Sequence, residues 1–177
     1  MSGFTGKLST RIVLVLALVG MLSLASAAVG LAGNNNYVAH LAGGNEIPAR
    51  DTLGQGQAIF KLSEDGLSLE YKLIVANTYN VVASHIHVGG PDVNGPVVAF
   101  LYGSVPPGGG RTDGVLAVGV ITAANLVGPL AGQPLSALIA QIDAGNTYVN
   151  VHTNDGVAPT NTGPGDFPGG EVRGQIH

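Results

Sequence analysis

Side chains two residues apart on an extended chain emerge from one side of it, and His85 and His87 stand in that relation within Ala83-Ser84-His85-Ile86-His87-Val88-Gly89-Gly90. A third histidine recurs in similar surroundings at Tyr148-Val149-Asn150-Val151-His152-Thr153. Imidazole suits both copper and zinc, so two rings from one strand and one from a neighbour make a three-nitrogen ligand set. The same rings can serve instead as neutral caps at the edges of a sandwich, hydrogen-bonding backbone and loop carbonyls. Both readings are open at this point. His40 and His177 are isolated in sequence, and each is either a fourth ligand or an exposed residue.

Glu46, Glu171 and Arg173 form a second candidate set. A carboxylate and a guanidinium can hold a ligand through bidentate geometry, but the expectation here is a structural salt bridge that pins the first loop to the last strand. Asp92, Asn94, Asn154, Asp155 and Asp166 lie in glycine-rich loops. They lack the Asp-x-Asp-x-Asp spacing of a calcium loop and read as turn formers. Ser84 and His85 are adjacent, which sends them to opposite faces of a strand and rules out a nucleophile–base dyad. The glycine runs at Gly89-Gly90 and Gly108-Gly109-Gly110 match no phosphate-binding pattern.

The elements that must position these groups are mostly strands. Ala58, Phe60 and Leu62 alternate with Gln57, Ile59 and Lys61, and Leu67 to Val75 alternates likewise. Ser63-Glu64-Asp65-Gly66 between them supplies the glycine that a tight hairpin needs. Further strands are expected at 37–41, 81–88, 96–102, 114–121, 148–153 and 171–176. The apolar run Pro96 to Tyr102 suits a strand covered on both faces. At Leu135, Leu138, Ile139 and Ile142 the period changes, predicting one short helix from Leu135 to Asp143, opened after Pro134 and ended by Gly145. About eight strands and one short helix indicate an all-β fold, an antiparallel β-sandwich or barrel.

Composition narrows the function. There is no cysteine among 177 residues, which excludes disulfides, thiolate metal sites and cysteine nucleophiles. Lys7 and Arg11 precede an apolar run from Ile12 to Leu24 and the small residues Ala25-Ser26-Ala27-Ala28, the pattern of a secretory signal. Residues 1–28 therefore read as a signal peptide, or as an N-terminal membrane anchor if uncleaved, followed by a linker over 29–36 and one domain over 37–177. Membrane contact is expected only through that first segment. No basic patch is present to neutralise phosphates, so nucleic acid is not an expected partner. A secreted or cell-surface location is expected, with an extracellular protein, matrix or a second copy of the chain as partner.

Several stretches resemble the CHRD domain, the chordin-type module. They are Leu41-Ala42-Gly43-Gly44-Asn45-Glu46-Ile47-Pro48, Ala58-Ile59-Phe60-Lys61-Leu62, Asp65-Gly66-Leu67-Ser68-Leu69-Glu70-Tyr71, Ala83 to Gly89, Asn94-Gly95-Pro96-Val97-Val98, Tyr148 to Thr153 and Gly170-Glu171-Val172-Arg173-Gly174-Gln175. They follow the family's order and cover nearly all of residues 37–177. Ser84 stands where the family usually has alanine, and Glu46-Ile47-Pro48-Ala49 where it tends to have Glu-Val-Pro-Pro. The resemblance implies an immunoglobulin-like β-sandwich of extracellular type, a binding or structural module and not an enzyme. His85, His87 and His152 are also similar to the three copper ligands of copper–zinc superoxide dismutases. The bridging histidine, zinc loop and disulfide of those enzymes have no counterpart here.

Overall fold

The computed structural model describes residues 35–177, together with Met1 and Gly3. The expected signal segment and most of the linker lie outside the described residues. Eight strands carry the fold: β1 (Asn36–Ala42), β2 (Gln55–Leu62), β3 (Leu69–Tyr79), β4 (Val81–Val88), β5 (Val97–Gly103), β6 (Arg111–Ile121), β7 (Thr147–Thr153) and β8 (Val172–Gln175). Among the described residues one α-helix, α1 (Leu135–Asp143), precedes β7. Among the described residues no helix is long and apolar enough to cross a membrane.

The strands form one antiparallel sheet in the order β5-β4-β7-β8-β1-β2-β3-β6. The sheet rolls over on itself, so that the Tyr71 hydroxyl on β3 donates to the Leu101 carbonyl on β5 at 2.7 Å. The two halves face each other across one core, which draws Leu41, Phe60, Leu73, Ile86, Val98, Ile121, Val149, Val151 and Val172 from all eight strands. Period-two alternation is what delivers these residues to one side. The eight-stranded all-β expectation, with one short helix, holds.

Helix α1 also matches its expected bounds. Leu135, Leu138 and Ile142, spaced three and four apart, are its buried stripe. Its end is a Schellman motif: Gly145 (φ +68°) donates to the Ile142 carbonyl at 2.8 Å, and Asn146 donates to Gln141 at 2.9 Å.

Two expectations need correction. Leu67 is not part of the β3 stripe; it sits exposed in the turn, where its amide donates to Asp65 Oδ1 at 3.0 Å. The run 96–102 is not covered on both faces: β5, the edge strand paired with β4, packs one face on the core and leaves the other partly open. Val98, Ala99 and Leu101 are buried, while Phe100 is 53% exposed on the outer face. At the other edge β6 exposes Val115, Val118 and Val120.

Candidate metal centre

Strand β4 pairs with β7 so that Ala83 lies opposite His152, His85 opposite Asn150 and His87 opposite Tyr148. Ser84 and Ile86 point into the core, where Ser84 Oγ donates to the Asn150 carbonyl at 2.8 Å. The outer face of the two strands therefore carries His85, His87, Tyr148, Asn150 and His152 together. Ala83 matters by its size: a methyl group opposite His152 leaves room for the His85 ring to reach across on the diagonal.

The three imidazoles converge. Ring centroids are 4.9 Å apart for His85–His152, 5.7 Å for His85–His87 and 6.1 Å for His87–His152. One nitrogen from each lies within 4.8 Å of the other two. His85 Nδ1 and His152 Nε2 are 3.1 Å apart.

Backbone carbonyls fix the tautomers. His87 Nδ1 donates to the Gly95 carbonyl at 2.9 Å, and His152 Nδ1 donates to the Pro168 carbonyl at 2.8 Å. A carbonyl can only accept, so both Nδ1 atoms carry hydrogen and both Nε2 atoms present lone pairs. The His152 lone pair receives the Nδ1 hydrogen of His85. His87 Nε2 is buried and has no hydrogen-bond partner. Burial lowers the pKa of all three rings, His85 to about 4 with help from its histidine neighbours, and this keeps them neutral near pH 7.

Two loops cover this face, and each supplies one anchoring carbonyl. Gly95 must be glycine for the first of them, since a Cβ there would run into the Val88 carbonyl. Arg173, only 1% exposed, ties that loop down, with Nη2 donating to the carbonyls of Gly90 (2.8 Å) and Val93 (3.0 Å) and Nη1 to Asn94 Oδ1 (3.1 Å). Its guanidinium lies 3.4 Å over the Tyr148 ring, and Tyr148 stacks in turn on His87, with 4.8 Å between centroids and 10° between planes. A column of guanidinium, phenol and imidazole thus runs across β8, β7 and β4. The second loop is held by Glu171, whose carboxylate accepts from Thr52 Oγ1 (2.6 Å), Thr153 Oγ1 (2.6 Å) and the Gly165 amide (2.9 Å).

The expected salt bridge among Glu46, Glu171 and Arg173 does not form. Among the described residues the ion pair within 4.0 Å is Arg111–Asp113, on the surface. Register explains the difference. Arg173 sits opposite Asn150 and Ala42, and its head reaches the 90–94 loop instead of either carboxylate. Glu46 Oε1 accepts from Asn150 Nδ2 at 2.8 Å, in space left by Gly170, where a Cβ would strike both groups. Burial drives the Glu46 carboxyl up to about 7, although the charges of Arg173 and Arg50 pull the other way.

His40 and His177 do not join the cluster. Their rings are 6.3 Å apart, and with Glu46 and Arg173 they line a separate cavity of ≈ 400 Å³. The loop oxygens do not converge either: Asn154 Oδ1 and Asp155 Oδ1 accept the amides of Gly156 and Val157, and Asp166 Oδ2 accepts from Thr162. Asp92 lines the cavity, and Asn94 bridges Arg173 and the Ile47 carbonyl. Tyr148 and Asn150 escaped the residue-by-residue reading, yet counting back by two from His152 places both on the face of the histidines.

No curated protein and no solved structure matches the chain. A family model described as the CHRD domain matches residues 37–176, a span that holds all eight strands but for the first residue of β1, and all three converging histidines. The chain belongs to the CHRD-domain family, a module of extracellular type that suggests a binding or structural role.

Proposed function

We propose that this CHRD module binds a transition-metal ion, copper or zinc, through His87 Nε2, His152 Nε2 and His85 Nδ1, the last in the tautomer that carries its hydrogen on Nε2 instead. The observation that carries the reading is the buried His87 Nε2, which lacks a partner in a ring that lies within ligand reach of the other two, one nitrogen of each residue being within 4.8 Å of the others. An unpaired buried acceptor costs about 1–3 kcal/mol, and a cation at the centre of the triangle removes that cost. Nitrogens bound to one ion at about 2.0–2.1 Å stand roughly 3.3–3.5 Å apart. The His85–His152 pair at 3.1 Å is nearly there, and His87 needs to close by little more than an ångström. His87 and His152 already have the outer partners that metal-ligating histidines use, a hydrogen-bond acceptor on the far nitrogen. With residues 1–28 read as an export signal, the ion is met outside the cytoplasm.

Titration of Cu(II) and Zn(II) into the full chain tests this directly. The wild type is expected to take up one ion, and His87→Ala to bind at least about tenfold more weakly. Equal, weak uptake by both proteins removes the reading. Self-association is a second reading, favoured by the exposed valines of the unpaired β6 edge. Sedimentation over a wide concentration range decides it, a persistent monomer counting against.

A further inference from the structure

If the three histidines hold a metal, their surroundings also select its charge. A divalent ion in a partly buried protein site is normally neutralised nearby: carboxylates serve as ligands, or accept the far N–H of a ligating histidine and raise its basicity. This site has neither. The two far nitrogens that are anchored donate to the neutral carbonyls of Gly95 and Pro168. From β5 the neighbour is Phe100, edge-on to His85 at 4.8 Å between centroids. From β7 the neighbours are Tyr148 and Asn150, both uncharged. Glu46 is the carboxyl linked to this face, and it is held one residue away behind the Asn150 amide. The formal charge that does reach the cluster is a cation, Arg173, stacked on the far side of Tyr148 and unpaired by any carboxylate within 4.0 Å.

The cost of holding an ion away from water grows with the square of its charge, and its repulsion from Arg173 grows in proportion to that charge. Both terms favour a monovalent ion. Three imidazoles, with no further His, Cys, Asp or Glu in the cluster among the described residues, leave a three-coordinate set that a d¹⁰ monovalent ion accepts, whereas Zn(II) completes a tetrahedron with water or another ligand. We infer that the His85–His87–His152 centre is a Cu(I) site, selecting the cuprous ion over Zn(II) and Cu(II) by the absence of any anion around it.

The inference rests on the metal-binding reading above, and one experiment separates the two. Under anaerobic, reducing conditions the full chain competes with bicinchoninate for Cu(I); in parallel it competes with a zinc-responsive dye for Zn(II). The wild type is expected to bind Cu(I) tighter by on the order of a hundredfold. Phe100→Glu places a carboxylate beside His85 at a half-exposed position, and it is expected to narrow the preference by about tenfold. Zn(II) bound as tightly as Cu(I) by the wild type, or an unchanged ratio in Phe100→Glu, overturns the inference while leaving a metal site in place. Binding of neither ion overturns the metal reading itself.

Discussion

Arg173→Ala is expected to lower the unfolding free energy by about 3–5 kcal/mol, measured by chemical denaturation of the full chain. The side chain is almost wholly buried and does several jobs at once. It donates to two backbone carbonyls and to Asn94 in the loop that follows β4, and it covers the face of Tyr148. Truncation leaves the Gly90 and Val93 carbonyls without this donor, at about 1–3 kcal/mol for each that stays dry, and adds the cavity left by the stem. Arg173→Lys is expected to recover less than half of the loss, because an ammonium cannot reproduce the planar fork or the stack. The same loop delivers the Gly95 carbonyl to His87, so weakened metal uptake should accompany lost stability. A loss below about 1 kcal/mol would show that water replaces the guanidinium without cost.

The second large effect depends on pH. Glu46 keeps its proton in the folded chain up to about pH 7, against an ordinary value of 4.5, chiefly because it is buried. A folded-state value above the unfolded one means that between these limits the folded chain binds more protons. Glu46 is then fully accommodated below about pH 4.5, and its contribution is lost as pH rises through 7. Glu46→Gln keeps an acceptor for Asn150 and never ionises. The variant should match the wild type near pH 4 and exceed it by about 2–3 kcal/mol at pH 8.5. Thermal melts at the two pH values give the comparison. A difference independent of pH would mean that Glu46 titrates alike in the folded and unfolded chains.

What could be read from sequence follows from which interactions are local. The β2–β3 hairpin and the face shared by His85 and His87 need only alternation along a few residues. Helix α1 needs only the spacing of Leu135, Leu138 and Ile142 with Pro134 before and Gly145 after. That His152 would meet His85 was legible as a resemblance and not from spacing, because it depends on β7 lying beside β4 with Ala83 opposite. Arg173 shows the limit most clearly. Its charge suggested Glu46 or Glu171 as partner, but cross-strand register and a distant loop chose carbonyls instead. For β5, the apolar run suggested burial on both faces, while what the fold stacks over the outer face of the sheet leaves Phe100 half exposed. Position in a sheet is a property of the whole chain, and no window of seven residues contains it.

In the proposed centre three imidazole nitrogens from β4 and β7 close on one ion. X-ray absorption at the metal edge of the copper-loaded full chain tests it most directly. A first shell of three nitrogens at about 2.0 Å with imidazole ring scattering is expected, reduced to two in His87→Ala. A shell of oxygens alone, or one indifferent to that substitution, would contradict it.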